Sequence, residues 1–408
     1  MDRLVQPWSV GAVRSALRGG LADEGTDAVR FLHTSDWQLG MTRHFLAGEA
    51  QARFDQARLD AIGSMASLAR ERDCAFVVVA GDVFETNQPD ERTVARAFEQ
   101  LRRFTVPVYL LPGNHDPYDH ASIYANPRFA ADCPEHVEVL SDTAAREPAP
   151  GIEVVGAPWM SKRPLSDLVV EVCEALEPCG DRVRHRVLVG HGSIGEVSGA
   201  FDVAGAIGLD RVEQAIDDGR VDYVALGDRH SFTSVGRTGR VWYCGAPEPT
   251  AYTEHDPGAC AVVELGSDPP SVERVQVGTW SFHELVQPVD GPADLDELEA
   301  RLEAIEDPAR AVVKIKLEGT LDLRQLARLD QLLEDRALTF AAVEQPQRHR
   351  DVAVRPSEDD LAELPLSGYA ADARDRLLEL AAGEGERARA AADALGLLVR
   401  LADDGRRT

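Results

Sequence analysis

Five short polar signatures stand out in this chain: Asp36-Trp37-Gln38, Gly81-Asp82, Gly113-Asn114-His115-Asp116, Gly190-His191-Gly192 and Gly227-Asp228-Arg229-His230. Aspartate, asparagine and histidine each offer lone pairs, and such side chains brought to one place are ligands for divalent metals. The chemistry they suit is phosphodiester hydrolysis, which needs an activated water, neutralisation of the non-bridging oxygens and help for the departing alkoxide. Two metals about 3.5–4 Å apart do the first two jobs, held together by a shared carboxylate such as Asp82. An imidazole beside them can stabilise the developing charge or protonate the leaving oxygen, a role that fits His115; its neighbour Asp116 is a second catalytic candidate.

The elements that must position these residues are visible around them. Each signature follows an apolar, strand-like run, at residues 29–33, 75–80, 106–111, 187–189 and 223–226. Short buried strands that deliver polar residues at their C-terminal ends build a site at one edge of an α/β sheet. Residues 47–72, 91–103, 164–176 and 210–218 have the apolar spacing of amphipathic helices. Residues 231–235 and 240–244 flank Gly236-Arg237-Thr238-Gly239, a hairpin signal, and 259–265 and 272–277 continue as strands. The expected fold is a four-layer αββα sandwich over residues 28–289. An extension, residues 1–27, precedes it. A compact β-α-β appendage is expected over 290–345, then a polar, proline-punctuated linker and a C-terminal helical hairpin within 346–408.

Composition narrows the class. The chain has 408 residues, 44% of them hydrophobic, which is enough for one large domain and one or two smaller ones. No apolar stretch approaches the roughly 20 residues that span a bilayer, and residues 1–26 lack the apolar core of a secretory signal, so a cytoplasmic location is expected. The six cysteines form no C-x-x-C pair, and reduced, half-buried thiols are expected rather than disulfides or a zinc site. A formal charge of −27 argues against broad wrapping of nucleic acid. It does not exclude an enzyme that holds phosphate through metals.

The motifs resemble those of the calcineurin-like metallophosphoesterases, and more narrowly the SbcD-type DNA-repair exonucleases. The narrow likeness rests on residues 31–40 (FLHTSDWQLG), 80–85 (AGDVFE), 111–116 (LPGNHD) and 243–248 (YCGAPE). It implies one metal held by Asp36, Gln38, Asp82 and His230, a second held by Asp82, Asn114, His191 and Asp228, and His115 as the catalytic histidine. It also implies DNA as substrate and an SMC-like ATPase partner of the SbcC type, for which residues 366–408 are the natural docking segment. A homodimer is compatible with it.

Two positions depart from the family pattern: Gln38 and Asp228 stand where it has histidine. Each proposed metal keeps one imidazole and exchanges one for oxygen. Oxygen-rich ligand sets favour Mn²⁺ or Mg²⁺ over Zn²⁺. An active Mn²⁺-preferring nuclease is therefore expected, against a phosphodiesterase or phosphatase on nucleotides or phosphoproteins, or a non-catalytic metal-binding scaffold that regulates an ATPase partner. Arg229 either meets a substrate phosphate or balances the local acids. His33 reads as a buried, hydrogen-bonded histidine and Trp37 as packing at the sheet edge. Arg43, His44, Arg53 and Arg58 form either a phosphate-facing patch or a solvated helix face.

Overall fold

The computed structural model describes residues 28–195, 205–345, 350–354, 368–383, 385–391, 393–395 and 398. The N-terminal extension expected at 1–27 lies outside them. The first half runs β1 (Val29–Thr34), α1 (Glu49–Glu71), β2 (Phe76–Val79), α2 (Glu91–Leu101), β3 (Val108–Leu110), α3 (Pro127–Asp132) and β4 (Val137–Val139). A second series follows: β5 (Arg146–Ala149), β6 (Ile152–Gly156), α4 (Leu168–Ala175), β7 (His185–His191), α5 (Leu209–Asp217), β8 (Tyr223–Gly227), β9 (Thr233–Val235) and β10 (Val241–Tyr243). Strands β11 (Ala259–Leu265) and β12 (Ser271–Gln276) return to the first sheet.

Two six-stranded sheets result, ordered β12-β11-β1-β2-β3-β4 and β5-β6-β7-β8-β10-β9. Period-two alternation explains why they stack. In β1 and β2, Leu32, Val77 and Val79 face helices α1 and α2, whereas Phe31, Phe76 and Val78 face the other sheet. In β8, Val224 and Leu226 face α4 and α5, whereas Tyr223 and Ala225 face inward. The order of layers is helix, sheet, sheet, helix. It is the four-layer arrangement the sequence suggests. The 236–239 turn also joins β9 to antiparallel β10 as expected.

His33 joins the two sheets from inside. A carbonyl oxygen only accepts, so its Nε2 donates to Leu226 O (3.2 Å), and its Nδ1 accepts from the Tyr223 hydroxyl (3.1 Å). Trp37 is fully buried in the first sheet's helix-side core, its indole donating to Thr34 Oγ1 at 3.0 Å, so it packs and does not face a ligand.

A third sheet holds β13 (Ser281–Val289), β14 (Ala311–Leu321), β15 (Ala342–Glu344) and β16 (Arg350–Val354), all parallel to β14. It is crossed by α6 (Pro292–Glu303) and α7 (Leu323–Ala337), the latter opened by an Asp322/Gln325 capping box. Two expectations are corrected here. The appendage begins at Ser281, before the boundary expected at 290, because β13 pairs with β14 along its whole length. The stretch expected as a linker contains strand β16, registered against Leu317 to Leu321 of β14. The appendage is anchored to the first motif's surroundings: Met41, Leu46 and Phe54 pack with Trp280, Val312 and Ala342. Buried Glu248 ties the junction, accepting from the backbone N–H groups of Thr279 (2.9 Å) and Trp280 (3.0 Å).

Of the expected C-terminal hairpin, α8 (Tyr369–Ala381) and part of the second helix are described. Leu377, Leu378 and Leu395 turn inward onto Leu323 and Ala327 of α7. Part of the segment's apolar surface therefore packs on its own chain, while Tyr369 and Leu380 stay exposed. No helix among the described residues is long and apolar enough to cross a membrane.

Burial pushes His33 down from the ordinary imidazole value to about 3. Its folded-state value lies below its unfolded value. Stability from this group is therefore complete above the unfolded value near 6.5 and declines as pH falls toward 3. Urea unfolding of the wild type should lose about 2 kcal/mol from this group between pH 7 and pH 5, and His33→Gln should lack that component. Parallel pH profiles for the two proteins would contradict the assignment.

Candidate metal centre

Asp36, Gln38, Asp82 and Asp228, all candidate ligands, sit in left-handed backbone conformations, with φ of 54°, 43°, 54° and 93°. Non-glycine residues avoid this region, Asp and Asn less than others, and it is held only where the surroundings over-determine it. Here the loops after β1 and β2 are zipped together. Asp36 N donates to Gly81 O (3.0 Å), Gln38 N to Asp82 O (2.8 Å) and Leu39 N to Val83 O (2.9 Å). Asp228 N, from the other sheet, donates to both carboxylate oxygens of Asp36 at 3.2 Å. Gly113 lets the third motif's loop come close as well, since a Cβ there would lie 2.2 Å from Asp82 Oδ1.

The structure brings Asp36, Asp82 and His191 together, all buried, with one ligand atom of each lying within 4.8 Å of the others. His191 Nδ1 donates to Ala80 O (2.8 Å), which directs Nε2 at the cluster. Nε2 lies 2.7 Å from Asn114 Oδ1, 3.5 Å from Asp82 Oδ1 and 3.8 Å from Asp228 Oδ1. The end of the Asn114 amide that faces this group meets only acceptors, the two Asp82 oxygens and His191 Nε2. Turned over, its NH₂ would donate to all three, at 3.1, 3.1 and 2.7 Å. Ligand atoms around a common ion with bonds of roughly 2.1 Å lie about 3 Å apart, so this gathering of acceptors suits a divalent cation with the amide oxygen turned inward.

A second imidazole stands across Asp36. His230 Nε2 lies 3.7 Å from Asp36 Oδ1 and 3.4 Å from Gln38 Nε2. Gln38 is buried, and its Oε1 has no hydrogen-bond partner. A buried carbonyl oxygen without a donor is unfavourable unless a cation faces it. The residues present therefore fit a divalent metal at the Asp36, Asp82 and His191 cluster.

The ionisations fit as well. Burial raises the Asp36 carboxyl above the usual carboxylate range, against the pull of His230 and His191. Burial also works against the Asp82 charge, yet His191 and His115 hold that carboxyl below the usual range. His191 is held well above the ordinary imidazole value despite burial, because Asp82, Asp36 and Asp228 surround it.

His115 sits at the mouth. Its Nδ1 donates to Glu85 O (3.0 Å), leaving Nε2 facing Asp82 Oδ2 at 4.0 Å, and its backbone N donates to Asp82 Oδ1 (2.9 Å). Asp116, expected beside it as a catalytic group, is instead wholly engaged inside the fold. Its Oδ1 accepts from Gly113 N (2.8 Å), and its Oδ2 accepts from Phe84 N (3.0 Å) and the Tyr124 hydroxyl (2.5 Å). Burial pushes it up to about 6, with Asp82 adding to the rise. Its geometry is that of a latch between the second and third motif loops.

Arg58 is likewise not part of any exposed patch. It is buried under the first motif, donating to Trp37 O (2.7 Å) and Met41 Sδ (3.3 Å). Arg229 is half-buried between two candidate ligands, and its Nε has no hydrogen-bond partner. Sequence reasoning missed Tyr124, Glu254 and Trp159, whose indole donates to His191 O (2.7 Å). None lies in a recurring motif, and only the Tyr124 hydroxyl's nearness to the third motif could have hinted at its part.

Two stacked sheets with an acid- and imidazole-rich cluster at their shared edge define a metallophosphoesterase-type architecture. Residues 29–232 match the calcineurin-like phosphoesterase family, and the chain belongs to that family. It is similar to the SbcD component of the nuclease SbcCD of Escherichia coli, at 26% identity over 55% of this chain and 62% of that protein. It thus spans less than two thirds of that relative's length. The DNA double-strand break repair protein Mre11 of Archaeoglobus fulgidus is 35% identical over 22% of this chain and 19% of its own. Among solved structures, a dimetal phosphatase from Danio rerio aligns with 61% of this chain and 99% of its own, at 12% identity and a TM-score of 0.39.

Metal ligands bind as neutral imidazoles, so a metal entering this centre must displace protons that the surrounding carboxylates hold on His191 and His230. Mn²⁺ affinity should therefore rise with pH through and beyond the ordinary imidazole range. Calorimetric titrations in buffers of different ionisation enthalpy should report proton release on binding. An affinity flat from pH 6 to 8, with no proton released, would rule this out.

Proposed function

We propose that the chain is a metal-dependent DNA nuclease, the nuclease component of an SbcCD-like repair complex. The observation that carries the reading is the close gathering of acceptors formed by Asp82, Asn114 and His191, with no donor among them once His191 is neutral and the Asn114 amide oxygen faces inward. The names of the relatives, a component of the nuclease SbcCD and the double-strand break repair protein Mre11, support the substrate. Asp36, Gln38, Asp82 and His230 would hold one divalent ion, and Asp82, Asn114, His191 and Asp228 the other. The oxygen-rich set favours Mn²⁺, with Mg²⁺ next. When bound, the ions neutralise phosphate oxygens and acidify water.

The chain's own residues do the rest. His115, oriented by its Nδ1–H bond to Glu85 O, presents Nε2 to the cluster and, as imidazolium, gives its proton to the leaving oxygen as the phosphorus–oxygen bond breaks. Arg229, half-buried between two candidate ligands, is suited to a non-bridging phosphate oxygen through its forked guanidinium. Asp116 positions the Gly113 to His115 loop and takes no direct part. An SbcC-type ATPase would dock on the face of residues 366–408 that keeps Tyr369 and Leu380 exposed. The net charge of −27 favours a second reading, a phosphodiesterase or phosphatase on nucleotides or phosphoproteins.

The test is Mn²⁺-supplemented cleavage of single- and double-stranded DNA and of bis(p-nitrophenyl) phosphate. His115→Ala should lower DNA cleavage by about 10²–10⁴-fold while Mn²⁺ still binds. Cleavage of the small diester without DNA cleavage would favour the second reading. Equal activity in both proteins, or none with Mn²⁺, Mg²⁺ or Zn²⁺, would remove the catalytic claim. Arg229→Gln should lower kcat/KM on DNA by about 10–100-fold, the worth of one hydrogen bond to a charged group. An unchanged kcat/KM would assign Arg229 to balancing the neighbouring acids.

A further inference from the structure

His230 is held from behind by a side chain outside every motif. Its Nδ1 faces Thr250 Oγ1 at 2.7 Å and Glu254 Oε1 at 3.0 Å. The Glu254 side chain is only 6% exposed. It grips Thr250 at both ends, accepting from Thr250 Oγ1 through Oε1 (2.5 Å) and from Thr250 N through Oε2 (2.9 Å). With the Thr250 hydroxyl proton committed to Glu254, both groups facing His230 Nδ1 are acceptors. In the neutral ring that binds metal, Nδ1 must therefore carry the proton, and Nε2 is left as a lone pair aimed toward Gln38 and Asp36.

The other imidazole is held differently. His191 Nδ1 donates to a neutral backbone carbonyl, that of Ala80. A carboxylate behind a ligating imidazole fixes its tautomer and ring orientation and also raises its basicity, which a carbonyl does less strongly. The carboxylate thus stands behind the grouping in which Gln38, a neutral amide, replaces an imidazole. In the other grouping the exchanged residue, Asp228, is itself a carboxylate, 3.8 Å from His191 Nε2. Each exchanged imidazole is matched by one negative charge, inside one grouping and behind the other.

We propose that Glu254, with Thr250 as its bridge, is a positioning residue that orients His230 and strengthens it as a metal ligand, offsetting the exchange at Gln38. This rests on the metal-centre reading proposed above. It predicts that the two ions respond unequally to loss of Glu254.

The experiment is Mn²⁺ titration of the full chain by calorimetry and electron paramagnetic resonance, together with ¹⁵N NMR of the histidine tautomers in metal-free protein. Wild type should bind two ions, and metal-free His230, once titrated to its neutral form, should keep its proton at Nδ1. Glu254→Ala should weaken one ion by about 10–100-fold, leave the other within a few-fold, and mix the His230 tautomers. Glu254→Gln preserves shape and an acceptor but removes the charge. It should keep the tautomer and still weaken the same ion, and it decides the matter if the alanine variant fails to fold. Two-ion binding unchanged in the variants overturns the role of Glu254 while leaving the metal centre intact. A wild-type chain that takes up no divalent ion overturns the metal centre itself, and this inference with it.

Discussion

Once His191 is neutral and the Asn114 amide oxygen faces inward, Asp82, Asn114 and His191 point lone pairs at one another, and this constraint organises the rest of the structure. Buried acceptors without donors are unfavourable by roughly 1–3 kcal/mol each, more for charged groups. Three things relieve them: a proton on His191, an inverted Asn114 amide, or a cation among them. The first two serve a metal-free protein. A cation would also answer the unpartnered oxygen of Gln38 on the other side of Asp36.

Holding such a cluster together needs a frame that does not relax. The frame is the zipped pair of loops after β1 and β2, the Asp116 latch joining the second and third motifs, and Arg58 under the first. Four candidate ligands lie in left-handed backbone, which isolated loops would leave. The third sheet adds to this frame, because its residues Val312 and Ala342 pack against Met41 and Phe54, just beyond the first motif. A helix, two loops and a separate sheet thus bear on one carboxylate pair.

The exchanges at Gln38 and Asp228 fit the frame without disrupting it. Gln38 donates its backbone N–H to Asp82 O, and Asp228 donates its own to Asp36. Asp228 adds a charge beside His191, and Glu254 supplies one behind His230.

Much of this was legible in the residues alone. Apolar runs of strand length followed by polar signatures identified the strands and the edge at which they deliver ligands, since alternation and burial are local properties of a sequence. Residues 29–34 and 76–79 became β1 and β2, and Asp36 and Asp82 in the loops that follow lie in one cluster with His191. Local pattern failed where a contact joins segments far apart. Strand β16 reads as linker because its partner β14 lies some thirty residues upstream. Asp116 reads as catalytic because its neighbours do, yet Phe84, Gly113 and Tyr124 claim both its oxygens. Glu254 has no motif to mark it, and its place behind His230 exists only once the loop after β10 folds back. Residue type and spacing determined which atoms could bind a metal. Tertiary packing decided which of them face one another, because a hydrogen bond depends on distance in space and not on separation along the chain.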